Sequence, residues 1–243
     1  MGRQEGDIAV ELHTREWGGG ERTAVLVHGI TFDHRAWRRV GPALAGRGYR
    51  VVAVDLRGHG ASPRGTGAGP LERYPLAAYA EDLLETVPAG PELAIGHSLG
   101  GIVLADAVAR LAPARAVYVD PSWRFRQWGL DPTAWAARQR APREQVAAAN
   151  PRWEAADVDV RLDTLTRWDA DTAVALAAQG SDLPAAPAVP SLVVRADGST
   201  VVRAGDAEEL RARGFAVRTV PGAGHNVHQD DHEGFLAALD GWL

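Results

Sequence analysis

Ser98 sits in Gly96-His97-Ser98-Leu99-Gly100, between the apolar run Leu93-Ala94-Ile95 and an Ala/Val/Leu-rich stretch that continues to Ala112. A serine hydroxyl is a nucleophile only where the backbone throws it clear of its neighbours and a base can take its proton. A strand that turns abruptly into a helix does the first of these. The turn strains the serine backbone and leaves no room for side chains beside it, so glycine is needed two residues before and two after. The helix that starts just past the serine aims its first N–H groups and its positive dipole end at the same point, where negative charge can be held.

The other candidates share that placement. His28, Asp55, Asp120, Asp197 and His225 each follow a short run rich in Val, Leu, Ile or Ala, as Ser98 does: residues 24–27, 50–54, 116–119, 191–195 and 216–220. Continuous apolar runs of this length read as strands buried on both faces of a parallel sheet. Between them lie helical patterns, one with Trp37, Val40 and Leu44, another over 76–87 and another through Phe235, Leu236 and Leu239. An alternating stretch at 8–17 reads as a half-exposed first strand. The order predicts an α/β fold, a mostly parallel sheet wrapped by helices. Ligands of such sheets bind beyond the carboxyl ends of the strands. All of the candidates fall there.

The segment 122–187 has a different texture. It holds five of the eight tryptophans (Trp123, Trp128, Trp135, Trp153 and Trp168), with Pro132, Pro142 and Pro151 as breakers. It reads as three or four short helices inserted over the sheet, and the Pro/Ala-rich stretch at 183–190 returns the chain to it. The expected division is a core of residues 1–121 and 188–243 with a helical insert between them.

Composition narrows the class. Across 243 residues, 46% are hydrophobic and the net charge is −5, which supports a packed core and argues against a nucleic-acid-binding face. No cysteine is present, so disulfides and thiolate chemistry are excluded. No apolar run is long enough to span a bilayer, and the first residues carry no apolar signal region, so the sequence predicts a cytoplasmic protein without a membrane partner.

Together His28-Gly29, Asp55-Leu56-Arg57-Gly58-His59-Gly60, Gly96-His97-Ser98-Leu99-Gly100 and Gly222-Ala223-Gly224-His225 resemble the α/β-hydrolase superfamily, in its order and over nearly the whole chain. The resemblance implies an eight-stranded, mostly parallel sheet with a helical lid inserted after strand six. It also implies a Ser98 nucleophile, a His225 base and an acid that orients the imidazole. The N–H groups of Leu99 and Ile30 would hold the oxyanion. The family acid usually ends a Gly-x-x-Asp pattern after strand seven, but here Ser199 of Ala196-Asp197-Gly198-Ser199 occupies that position. A second family position, after strand six, is filled by Asp120, which is the favoured acid, with Asp197 as the alternative. Trp123 and Trp128 are the expected pocket residues. His228 and His232 beside Asp230 and Asp231 read as a helix start rather than a metal cluster.

The implied activity is hydrolysis of a carboxylic ester or lactone through an acyl-enzyme, on a small-molecule substrate of apolar or moderately polar type and without cofactor or metal. The alternatives are a C–C hydrolase, lyase or acyltransferase using the same triad, and a non-catalytic small-molecule receptor. A serine in place of a carboxylate at position 98 argues against epoxide hydrolase and dehalogenase chemistry.

Overall fold

In a computed structural model of the protein, residues 9–124 and 131–243 are described. Seven strands form one sheet: β1 (Thr14–Trp17), β2 (Arg22–Val27), β3 (Tyr49–Val54), β4 (Leu93–His97), β5 (Arg115–Val119), β6 (Ser191–Ala196) and β7 (Ala216–Val220). Their order is β1-β3-β2-β4-β5-β6-β7, with β1 antiparallel to β3 and every other pair parallel.

The Val/Ile/Leu/Ala runs that predicted buried strands divide their side chains between two layers, because successive residues of a strand face opposite ways. Val25, Val27, Val52, Val54, Ala94 and Ala116 pack on one face, and Leu26, Val51, Ala53, Ile95 and Val117 on the other. The first face is covered by α3 (Leu76–Thr86) and α4 (Leu99–Leu111) through Tyr79, Leu83, Ile102 and Leu104. The second is covered by α1 (Val40–Ala45), by a 3-10 turn at His34–Trp37, and by α11 (His232–Ala238) through Leu44, Trp37 and Phe235. Asp231 starts α11 by accepting from the N–H of Gly234 at 2.9 Å, the capping role expected of an acid there.

The sheet has seven strands among the described residues rather than the eight that the resemblance implies, and its first strand is shorter than 8–17. The chain before Thr14 turns away to a helix. The N–H groups of Val10 and Leu12 donate to Asp82 Oδ1 (2.8 Å) and Thr86 Oγ1 (3.0 Å) of α3 instead of to a strand. Asp82 is fully buried and also takes a two-pronged ion pair from the buried Arg57 guanidinium, at 2.5 and 2.6 Å. That pair ties the loop after β3 to α3.

Between β5 and β6 the described residues form α5 (Pro132–Ala137), a 3-10 turn (Arg138–Arg140), α6 (Arg143–Ala149), α7 (Ala155–Thr166) and α8 (Asp171–Ala178); α2 (Pro70–Arg73) follows β3, α9 (Ala204–Ala212) follows β6 and α10 (Val227–Asp230) follows β7. Asp131 caps α5 by accepting from the Thr133 N–H at 2.9 Å, and Pro132 opens it. The insert is anchored through aromatic side chains. Trp168 joins the large core, and Trp153 packs with Phe32 and Val158 in a smaller cluster.

Candidate active site

Ser98 lies between β4 and α4 with φ 53° and ψ −115°, a conformation that side chains normally avoid. The flanking glycines make it accessible. A Cβ on Gly96 would lie 2.3 Å from the Gly100 carbonyl oxygen, and one on Gly100 would lie 2.3 Å from that of Val27. Leu99 opens α4, so its N–H is one of the first-turn donors for which a helix supplies no acceptor.

Three side chains from three loops meet there. His225 Nε2 is 3.0 Å from Ser98 Oγ, and His225 Nδ1 is 2.8 Å from Asp120 Oδ2. Asp120 is completely buried and ends β5 with φ 38°. Its other oxygen accepts from the Ala196 N–H at 3.3 Å. The structure brings Asp120, not Asp197, against the imidazole. Asp197 is exposed and accepts from the Gly222 N–H at 3.3 Å. Ser199, the residue standing where the resemblance expects an acid, donates its hydroxyl to Asp120 Oδ2 at 3.1 Å. In turn it accepts from the N–H groups of Val201 and Val202. The loop after β6 thus supports the carboxylate that the loop after β5 supplies.

The loop after β2 is braced from below. His28 Nδ1 faces the Gly29 carbonyl oxygen at 2.7 Å, while its Nε2 accepts from the Leu56 N–H at 2.9 Å, which fixes the proton on Nδ1. A turn from the Gly29 carbonyl to the Phe32 N–H (3.2 Å) carries Ile30 and Thr31, the latter at φ 66°. The turn leaves the Ile30 N–H unused by its own hydrogen bond.

His97 is buried under His225 and donates Nε2–H to the His225 carbonyl oxygen at 3.0 Å. Burial holds His97 well below the ordinary histidine range, and it pushes His228 down to about 3. Both rings are therefore neutral at physiological pH and add no charge behind the site. His228 stacks on Trp37 with centroids 4.3 Å apart, in a packing rather than a metal-ligating role.

A cavity of about 550 Å³ opens on Ser98 and His225. Ile30, Trp135, Arg138, Leu176 and Val201 are among its lining residues. Among the described tryptophans, Trp135 of α5 lines the cavity and Trp123 does not. Trp123 is 1% exposed, packed 5.0 Å from Tyr118 and 6.1 Å from Phe215 in the core. Trp128 lies outside the described residues.

Ser122 was not foreseen. Its Oγ lies 2.7 Å from Ser98 Oγ, and its N–H donates to the Ser98 carbonyl oxygen at 3.2 Å. With Ser98 donating to His225, Ser122 is the donor between the two hydroxyls. The only sequence signal was its position two residues beyond Asp120. Ser122→Ala removes one neutral hydrogen bond of about 0.5–1.5 kcal/mol. The expected change in kcat/KM for a short ester is about two- to tenfold, read from initial rates. A loss beyond about 100-fold would mean a larger part for Ser122 than fixing the nucleophile.

The family model described as "Alpha/beta hydrolase family" matches residues 24–238. The chain belongs to the alpha/beta hydrolase family. Among its relatives, this family member is 40% identical over 119 residues to pimeloyl-[acyl-carrier protein] methyl ester esterase of Sodalis glossinidius, covering 48% of this chain and 43% of the relative. It is 35% identical over 98 residues to bifunctional epoxide hydrolase 2 of Sus scrofa, covering 39% of this chain and 17% of the relative. The chain thus spans less than half the length of either. Solved structures match over almost the full length. The structure of E-2-(acetamidomethylene)succinate hydrolase is 27% identical with a TM-score of 0.75, covering 95% of this chain and 94% of the other. The enol-lactonase of Burkholderia xenovorans LB400 is 25% identical with a TM-score of 0.71, covering 97% and 98%. Among the described residues of this hydrolase, no helix is long and apolar enough to cross a membrane.

Proposed function

We propose that this alpha/beta hydrolase cleaves a small carboxylic ester or lactone through an acyl-enzyme on Ser98, with His225 as base and Asp120 as its orienting acid. The observation that carries the reading is the unbroken hydrogen-bonded line from buried Asp120 through His225 to Ser98, ending at the cavity. With the Nδ1 proton donated to Asp120, Nε2 is free to accept the Ser98 proton as Oγ attacks the acyl carbonyl. The tetrahedral oxyanion forms beside the N–H groups of Leu99 and Ile30. Collapse expels the alcohol, which takes the proton from the imidazolium. Water then repeats the sequence on the acyl-enzyme, releasing the acid and restoring Ser98. The residues use no metal or cofactor in any step.

The pimeloyl ester esterase and enol-lactonase relatives support the ester and lactone reading, while the epoxide hydrolase relative does not extend to position 98 chemistry. Epoxide opening needs a carboxylate nucleophile, and a hydroxyl stands here. The insert of residues 122–187 acts in this reading as a lid whose Trp135 and Leu176 shape the pocket.

The test is a stopped-flow trace with a short-chain p-nitrophenyl ester, paired with fluorophosphonate labelling. The expected result is a stoichiometric burst followed by slower turnover, with label found on Ser98 and none on Ser98→Ala. Turnover no faster than Ser98→Ala, with Ser98 unlabelled, would overturn the reading in favour of a receptor or another reaction.

A further inference from the structure

We infer that the substrate carries a carboxylate and that Arg138 and Arg161 of the insert bind it, so that this site is selective for an anionic half-ester or acidic lactone. The inference rests on the hydrolase reading above and names the substrate class for the same site.

Arg161, on α7, is 9% exposed, and no carboxylate pairs with it among the described residues. Its guanidinium donates to the Thr31 carbonyl oxygen at 2.5 Å and lies 4.1 Å over the Phe32 ring. Those two contacts place it directly behind the loop that presents Ile30 to the cavity. The nearest acids on the same elements are engaged elsewhere. Asp157 takes the Arg38 guanidinium at 2.7 Å, and Asp163 pairs with Arg35 and Arg167. Burial first, and the neighbouring charge of Arg138 second, together depress the Arg161 guanidinium to about 9. It is still a cation at neutral pH.

Arg138 supplies the second positive group. It lines the cavity together with Ser98 and lies 4.1 Å over the Trp135 ring, and no acid pairs with it among the described residues. Its outer side is exposed, so solvent carries part of its charge when the site is empty. Two more charged residues line the cavity. Arg152 donates to the Gly222 carbonyl oxygen, and Asp230 is occupied by the Trp153 indole N–H and the Gly224 N–H, both at 2.8 Å. The charge of Arg152 acts on Asp230, whereas no acid pairs with Arg138 or Arg161 among the described residues.

An uncompensated buried cation such as Arg161 is costly to a fold, and the charge of the exposed Arg138 beside it raises the cost. Elsewhere the chain neutralises its buried arginine, as Arg57 with Asp82 shows. A ligand carboxylate would complete the site, since the planar guanidinium fork matches two carboxylate oxygens. The aromatic rings under both guanidiniums fix their planes while leaving their donor edges free for an anion. The fixed distance between Ser98 and this pair would then select acyl chains by length.

The experiment uses Ser98→Ala, which keeps the pocket and cannot turn substrate over. Titration calorimetry at pH 7.5 compares the monomethyl esters of succinate, glutarate and adipate with their dimethyl esters. At least one half-ester is expected to bind about tenfold or more tightly than its diester. Arg138→Gln and Arg161→Gln, each added to Ser98→Ala, are expected to shrink that ratio, and the two together to bring it within about twofold. Arg138→Lys, keeping charge without the fork, should retain part of it. Because each ratio is taken within one variant, a general loosening of the pocket moves both ligands alike and leaves it unchanged. Equal binding of half-ester and diester at all three lengths, or a ratio that survives both Gln substitutions, would overturn the inference. Fluorophosphonate labelling of the wild type decides the hydrolase reading separately, so the two failures are distinguishable.

Discussion

Asp120→Asn is expected to lower kcat by about 10⁴-fold while leaving the fold intact. The direction follows from the two groups that hold the carboxylate. The Ala196 N–H, a fixed donor, faces Oδ1, so an asparagine must put its carbonyl oxygen there. Its NH₂ then occupies the Oδ2 position, where Ser199, already accepting from Val201 and Val202, must turn its own proton away and His225 Nδ1 cannot keep its proton. The imidazole is driven to the other tautomer, with the proton on Nε2 pointing at Ser98. A base that already carries a proton at that nitrogen cannot take one from the nucleophile. Asp197→Asn touches only the Gly222 N–H and is expected to change kcat by less than about twofold. Initial rates of the two variants with one ester, alongside their melting curves, make the comparison. A near-normal Asp120→Asn beside a dead Asp197→Asn would move the acid to the loop after β6.

The parts of this site that are legible in the sequence are those where backbone geometry restricts residue type. Gly96 and Gly100 are demanded by carbonyl oxygens 2.3 Å from where a Cβ would sit, so the turn around Ser98 is written as a pattern. The continuous apolar runs at 24–27 and 51–54, buried on both faces, likewise spell out parallel strands, since a polar residue there would lose its water on either side. Residues 9–12 carry the same apolar alternation as a strand. Whether they pair with a strand or with α3 is decided by where Asp82 and Thr86 lie, which is a tertiary fact.

The same division runs through the pocket. Ser199 stood out in the sequence because it occupies the family's acid position, and its hydroxyl does reach the acid, though as a donor to Asp120. Trp123 and Trp135 are equivalent as residue types in a tryptophan-rich segment. Their burial separates them, one under Phe215 and Tyr118 and the other on the cavity wall. The lid arginines look in sequence like a solvated surface, and Arg124, Arg143 and Arg167 do pair with acids. Arg138 and Arg161 are set apart by position rather than residue type: Arg161 is buried with no acid paired to it among the described residues, and Arg138 beside it lines the cavity.

Acidification is expected to unfold the protein steeply, with a midpoint between about pH 4 and 5.5, because the fold keeps histidines buried and neutral. Burial lowers His28 and His97, and it takes His59 and His228 down to about 3. An unfolded histidine titrates near 6.5. Between that value and the folded one, the unfolded chain binds more protons, so stability is full above about pH 6.5 and falls as the pH drops through that window. Each such group contributes about 1.4 kcal/mol per pH unit. Four of them approach the whole stability of an ordinary domain, about 5–15 kcal/mol, within two to three units. Asp106 and Asp230, which burial holds above the usual carboxylate range, act in the opposite direction and soften the lower end. His228 isolates the effect. Neither ring nitrogen has a partner, its ring stacks on Trp37, and the titratable groups facing it are His97, His225 and His232. His228→Phe keeps the stack and removes the proton site. Urea unfolding at pH 8, 6 and 5 is expected to show a stability slope shallower by about 1.4 kcal/mol per pH unit than in the wild type, whatever constant packing cost the larger ring adds. Parallel slopes in the two proteins would mean that His228 is charged in the folded state, and the neutral stack behind His225 would have to be given up.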